Sequence, residues 1–269
     1  MNGIPRGWSA LMRIAAFLFM VFMLAPLIVI VIASFTDDGY VQFPPSTYGI
    51  RWYRQVFQSA NIMGGVLFSF EIALAAALLS GLLGVASALA LSRANFRGRD
   101  AIVYFLTMPL SVPHVVLALA FLQVLSMVQI ATSPWGIVAS HILITTPYVL
   151  RLAQTSLADL DQTIERASYS LGATPAQTFR MIILPMIAPG VIAGVFFAFL
   201  LSFDEVTISI FLSTPGKTTL PAQIFAIAST GSDPIVTATS GLLIIVAIIA
   251  ILFIEKFFGS LRLLIGGKI

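Results

Sequence analysis

The sequence predicts an all-α integral membrane protein: six transmembrane helices, with a long polar loop between the fourth and the fifth. Three observations carry that prediction. Of 269 residues, 59% are hydrophobic and only 9% are charged, against roughly 25% charged in a soluble domain. So few charges cannot cover a globular surface, and the mean hydropathy is +1.02. The apolar residues also fall into runs near the roughly 20 residues a spanning helix needs. Within those runs apolar and polar residues do not alternate, which excludes a membrane barrel, and hydrocarbon offers no partner to an open strand edge. A soluble enzyme and a disordered tail are excluded. The absence of cysteine removes disulfides, Cys-ligated zinc, iron–sulfur clusters and thiol nucleophiles.

The six runs are 14–34, 62–91, 101–125, 135–150, 186–212 and 235–258. The first follows Arg6 and Arg13, but its apolar core is too long for a signal peptide and no small-x-small site follows, so it reads as an uncleaved anchor. Residues 35–61 hold Pro44-Pro45 and then Trp52, Tyr53 and Phe57 beside Arg51 and Arg54. That mixture suits a short helix at the membrane interface. In the second run Gly81, Gly84, Ala86 and Ser87 allow close helix packing. Pro109 and Pro113 break the third, either freeing carbonyls to line a cavity or only kinking the helix. The fourth is short and begins after Ser133-Pro134.

Arginine and lysine set the direction. Eleven lie on one side of this layout, among them Arg93, Arg97, Arg99, Arg151, Arg166 and Arg180; Arg51, Arg54 and Lys217 lie on the other. The positive-inside rule puts both termini in the cytoplasm. The 35-residue segment 151–185 is then a cytoplasmic loop, and a loop this long in a compact protein is usually functional. Leu152, Leu157, Leu160, Ile164, Ala167 and Leu171 recur at helical spacing with Asp159, Asp161 and Glu165 beside them, which reads as one amphipathic helix. Gly172 is its C-cap. Thr174-Pro175-Ala176-Gln177 starts a second helix through a capping box, and that helix is expected to stop at Pro185. Two short helices with an apolar stripe form a knob that wants a partner groove.

Within ERASYSLGATPAQTFRMIILP, Gly172, Ile182 ten residues on, and Leu184-Pro185 resemble the EAA loop of permease subunits in bacterial ATP-binding-cassette importers. The pattern MPLSVPHVV in the third run and SFDEVTISIFLSTPGKTTLPAQIFAI after the fifth extend the resemblance over most of the chain. It is greatest to the second permease of spermidine/putrescine-type importers. Relatives that import opines, aminoalkylphosphonates, ferric iron and sulfate-like oxyanions share parts of the pattern. Arg166 stands where the family usually has Glu, with Glu165 one residue earlier, and Ser168 stands where a second Ala is common. The resemblance implies a type I importer permease fold, a single permease domain over 1–269 in the bacterial inner membrane. It assigns ATPase coupling to Glu165, Arg166, Ala167, Gly172, Ala173, Ile182, Leu184 and Pro185. The implied partners are two ATPase subunits, which bind the ATP and magnesium, a second permease and a periplasmic substrate-binding protein.

Acidic residues at membrane depth are costly and mark pathways by default. Asp204 and Glu205 near the outer end of the fifth run, Glu71 in the second and Phe203 would suit a polyamine, because an ammonium needs acidic or aromatic partners along its route. The alternative for Asp204 and Glu205 is to cap an outer half-helix or to pair with another subunit. His114 and His141 have no carboxylate at ligand spacing, so no metal site is expected, and they read as hydrogen-bonded helix histidines. Pro215-Gly216-Lys217-Thr218 ends like a phosphate loop, but Phe211 replaces its first Gly. No catalytic constellation, cofactor of the chain's own or nucleic-acid site is read. The function expected is passage of a small solute, a polyamine such as spermidine or putrescine, into the cytoplasm. The alternatives are import of an opine, an aminoalkylphosphonate or another small anion, and an ion-driven secondary transporter using Glu71 and Asp204, which would normally show repeated halves.

Overall fold

The computed structural model describes residues 6–93, 96–213, 216–231 and 233–264. In chain order the helices are α1 (Arg6–Ala33), α2 (Arg51–Gln58), α3 (Ala60–Arg93), α4 (Arg99–Thr107), α5 (His114–Met127), α6 (Pro134–Ala158), α7 (Gln162–Ser170), α8 (Pro175–Thr178), α9 (Leu184–Asp204), α10 (Thr207–Leu212), α11 (Leu220–Thr230) and α12 (Pro234–Leu264). Among the described residues four helical stretches are long and apolar enough to cross a membrane alone. The pair Arg99–Ser111 and His114–Met127, bent by 106° at Val112-Pro113, is together long and apolar enough for one more, as a broken span or a re-entrant loop. The apolar part of α12 is described over Pro234–Ala250. The chain divides into two compact units, one drawn from residues 1–63 with 226–269 and the other Gly64–Phe225.

In the first unit, α12 packs against both α1 and α2. The apolar face of α1 is left uncovered by its own chain from Met12 to Ile28, as expected of a helix solvated by lipid. At its end Ser34 is buried and its hydroxyl hydrogen-bonds the Tyr53 hydroxyl at 2.6 Å. A Cβ on Gly241 of α12 would stand 3.0 Å from that same Tyr53 oxygen, so a larger residue could not sit there without displacing α1 or α2. The loop between α1 and α2 is organised by the Asp38 carboxylate. It accepts from the Ser46 hydroxyl at 2.7 Å and the Thr47 hydroxyl at 2.6 Å, and from both of their backbone amides. The Trp52 indole donates to the Asp38 carbonyl at 2.8 Å, which ties α2 to the loop.

The second unit is built around α6. A side chain at Gly84 of α3 would meet Val149 of α6 at 2.7 Å. On the other flank, Gly194 of α9 lies against the Val149 backbone, and Gly190 against Ser156 and the Leu152 carbonyl. Small residues four apart let two backbones approach closely, and dispersion contacts then replace the weak hydrophobic drive between helices in lipid. Two apolar clusters form around this centre. One joins Ile72, Ala118, Ile137, Ile144, Ile208 and Leu212, and the other joins Ala88, Leu150, Ala153, Leu157, Ile183 and Ile187. Hydroxyl pairs add to them: Ser80 of α3 and Thr145 of α6 are buried and 2.7 Å apart.

Three sequence expectations need correction. The fourth run is not a short span: α6 is a 25-residue helix that carries Leu152 and Leu157 into what reads in sequence as loop. The stripe 152–171 is therefore two helices, broken at Asp159–Asp161. The second loop helix does not stop at Pro185. It winds through a π-helical segment, Phe179–Ile183, straight into α9, and Pro185 sits in the first turn of α9. Proline has no N–H to donate to the preceding turn, and a wider turn of backbone accommodates that vacancy without a break. Lastly, the fifth span ends at Asp204: Glu205 is extended and α10 starts again at Thr207.

The hydroxyls of Thr47 and Ser46 hold the Asp38 carboxyl well below its ordinary value, at about 2. A depressed folded value means the stabilisation is complete above the unfolded value near 4 and is lost as pH falls toward 2. With Trp8 and Trp135 replaced by Phe, Trp52 emission should change between about pH 4 and pH 2 and lose that transition in Asp38→Asn. An unaltered transition in the variant would show that this carboxylate does not hold the loop.

Candidate functional site

Two parts of the second unit draw together most of the residues singled out in sequence: the α7–α8 loop and the breaks in the third and fifth spans.

The loop is built from end caps. Asp161 accepts from the Thr163 amide at 2.8 Å and starts α7; this bond holds the Asp161 carboxyl below its usual range. Gly172 ends α7 with φ +87°. Its amide donates to the Tyr169 carbonyl at 3.0 Å and the Ala173 amide to the Ser168 carbonyl at 3.1 Å, the paired bonds of a Schellman cap. Thr174 and Gln177 then close a capping box in both directions. Ser168 is buried and its hydroxyl meets that of Thr178 at 2.8 Å, so the residue that departs from the family's Ala ties α7 to α8. Glu165 is turned inward to an ion pair with Arg93 at the end of α3, at 2.5 Å. Arg166 and Ala167 face out, and Ala173 and Ile182 are half-buried. Leu171, with 89% of its surface exposed, is the apolar tip, and Met181 at 76%, Leu184 and Pro185 continue an uncovered face.

The breaks are pinned to each other. Glu205 is buried, accepts from the Ile208 amide at 3.0 Å to start α10, and pairs at 2.8 Å with Nδ1 of His114, the first residue of α5. His114 is therefore not without a carboxylate, as its sequence neighbourhood implied; its partner lies 91 positions away. His141 is fully buried in α6 and bonds Ser202 of α9 at 2.7 Å and Ser209 of α10 at 3.4 Å. Hydrogen bonds lost where a helix breaks in hydrocarbon must be replaced; Glu205 does so for the Ile208 amide, while His141 ties the hydroxyls on either side of the break to α6.

The other sequence candidates lie apart from that pair. Asp204 is exposed, and Phe203 stacks on Phe199 at 6.0 Å, which meets Phe70 edge-on at 5.6 Å. Glu71 follows Phe70 on the outward face of α3, exposed beside Leu67, Leu74 and Leu78. Sequence reasoning missed Arg93, His114, Ser168 and Leu171. The contacts of Arg93, His114 and Ser168 join positions far apart in sequence or face inward from a surface helix, but Leu171 beside a C-cap glycine was open to detection. Of the phosphate-loop lookalike, Pro215 lies outside the described residues.

Long apolar helices, two of them broken and re-capped inside the bundle, with a rigidly capped helical loop, define a multi-pass membrane transport protein. Residues 80–263 match the family of binding-protein-dependent transport system inner membrane components, and the chain belongs to that family. It is 34% identical over 252 residues to the putrescine transport system permease protein PotI of Escherichia coli K12, covering 91% of this chain and 89% of that one. It is 31% identical to the spermidine/putrescine transport system permease protein PotC of Haemophilus influenzae, over 87% and 91%. A putative 2-aminoethylphosphonate transport system permease protein, PhnV of Salmonella paratyphi A, is 26% identical over 94% and 95%. The fold is that of a crystallised bacterial ABC transporter for alginate, with TM-score 0.75 at 16% identity over 96% of this chain and all of that one.

Truncating Glu205 strands a buried amide and the His114 ring. Glu205→Ala should lower unfolding stability in detergent by about 2 kcal/mol, whereas Asp204→Ala, which removes an exposed carboxylate, should leave it nearly unchanged. Equal losses in thermal melts would mean that Glu205 does not cap the break.

Proposed function

We propose that this chain is the transmembrane permease subunit of an ATP-driven importer that passes a polyamine, putrescine or spermidine, from a periplasmic binding protein into the cytoplasm. The observation that carries this reading is the 34% identity to a putrescine permease across 91% of the chain. In this reading the chain acts as one six-span domain with both termini cytoplasmic. It pairs with a second permease, and two separate ATPase subunits bind ATP and magnesium; the chain itself hydrolyses nothing.

The loop geometry divides the coupling roles. Glu165 is spent on Arg93, so its part is to hold α7 against the end of α3. Arg166 faces outward and Leu171 offers an exposed apolar anchor at the end of α7, residue types that make strong interface contacts. Gly172, Ala173 and the Thr174 cap fix the angle between the two loop helices. The helix from Pro175 to Asp204 is continuous, so a push on the loop reaches the break at Glu205 along one rod, with Ile182, Leu184 and Pro185 at its entry. Along the pathway Glu71, Asp204 and the Phe70–Phe199–Phe203 ladder would receive a desolvating ammonium by charge and by cation–π attraction. Glu205 acts there by setting where the break lies. The phosphonate-permease relative supports a second reading in which the solute is a zwitterion or small anion.

Two measurements test this. ATPase activity of the complex isolated through this chain, in liposomes, should rise with a polyamine-loaded binding protein. ATPase without a polyamine response would keep the importer and move the substrate to the second reading; no associated ATPase would overturn both. In Gly172→Val a β-branched residue at positive φ costs about 1–2 kcal/mol although the space around it is open. Membrane insertion and ATPase association should persist while solute uptake per ATP falls by about tenfold. Normal uptake would show that the fixed loop angle is not what transmits closure.

A further inference from the structure

A cavity of about 440 Å³ opens where α3 ends, α4 begins and α6 passes, lined by Arg93, Arg99, Arg151, Asp100, Gln154 and Gln162. Its volume falls in the range of small-molecule sites, roughly 300–1,000 Å³. Three guanidinium groups share it. Arg93 is answered by Glu165. Arg99 donates its Nε to the Leu91 carbonyl at 2.6 Å, which holds the side chain in place at the cavity wall and does not use its two terminal nitrogens. Arg151 is exposed and makes no ion pair among the described residues. Two guanidinium groups, Arg99 held in place and Arg151 not ion-paired, are thus left against one carboxylate, Asp100, in a recess also lined by Gln154 and Gln162. Guanidinium forks match the oxygens of a phosphate pairwise.

The depth of the cavity narrows the source of such a phosphate. It lies at the shared ends of spanning helices: α3 finishes at Arg93 and α4 starts at Arg99. One turn further, Ile102, Tyr104 and Phe105 of α4 are uncovered apolar residues, the last two 73% exposed, as lipid-facing residues are. Val103 and Leu157 give the cavity an apolar wall. A polar mouth with an apolar flank, at the level where acyl chains meet headgroups and on the arginine-rich side, suits an amphiphile rather than a free ion.

We propose that this cavity binds the phosphate of an anionic phospholipid of the inner leaflet, gripped by Arg99 and Arg151 and bounded by Asp100 and the two glutamines. A headgroup held there would brace the ends of α3, α4 and α6 immediately beside the Arg93–Glu165 pair that holds α7. The lipid is then a structural ligand of the loop, whatever solute the protein carries.

The test uses the complete complex, reconstituted in phosphatidylcholine nanodiscs with a minor fraction of phosphatidylglycerol and released for native mass spectrometry. Wild type should retain phosphatidylglycerol over phosphatidylcholine, and Arg99→Gln/Arg151→Gln should lose that preference by about tenfold, with Arg151→Lys in between. Arg97→Gln, an exposed arginine outside the cavity, should retain the lipid as wild type does. Associated ATPase is counted in the same spectra, so a variant that fails to assemble is recognised, and Arg151→Lys then decides. No preference in wild type, or equal retention in the double variant, overturns the proposal. Displacement of the lipid by millimolar inorganic phosphate would show a soluble anion site and overturn the lipid assignment.

Discussion

The contact on which the rest depends is the close approach of α6 and α9. Gly190 and Gly194 sit one turn apart on α9, and each would drive a Cβ into α6. With no side chain between them the two backbones lie near enough for dispersion to hold them, which is what remains when lipid surrounds a bundle. Gly84 gives α3 the same approach from the other side of Val149. Because α6 leads into the loop and α9 leads out of it, this contact also fixes the distance that α7 and α8 must bridge. The caps at Asp161, Gly172 and Thr174 then shape the turn inside a span already set.

Hydrocarbon tolerates a broken helix only if the freed backbone groups find partners. At the break after α9 one carboxylate meets part of that demand, and it also ties in the break before α5. Glu205 takes the Ile208 amide with one oxygen and His114 with the other, so the restart of α10 and the restart of α5 share a residue. The buried His141, between Ser202 and Ser209, secures the same segment from the α6 side. Neither arrangement gives the acid a free face, in contrast with Asp204 beside it and Glu71 on α3.

What could be read from sequence was what local chemistry decides. The αL glycine, the Thr-Pro-x-Gln start and the proline break in the third span each follow from a few adjacent residues, and each is present at the position expected. What could not be read depends on contacts across the bundle. Nothing near His114 points to Glu205, and nothing near Ser168 says that a hydroxyl is wanted there for Thr178. The glycines of α9 are four apart, a spacing legible in sequence, but Pro185 and Pro189 just before them read first as helix breakers. The length of α6 was hidden by Arg151, which reads as the end of a span although the helix continues for two more turns.

The π segment Phe179–Ile183 has a consequence for phase. A π turn holds about one residue more than the α turn it replaces, and each α residue advances the helix by about 100°. The residues before the segment are therefore rotated by that amount relative to those in the bundle, compared with an uninterrupted helix. Rewinding the segment to α geometry would turn the Thr174–Thr178 end about its own axis while α9 stayed seated on α6. The surplus residue makes the connection between loop and span sensitive to winding as well as to push: a change confined to Phe179–Ile183 re-aims Leu171 while leaving α9 where it packs.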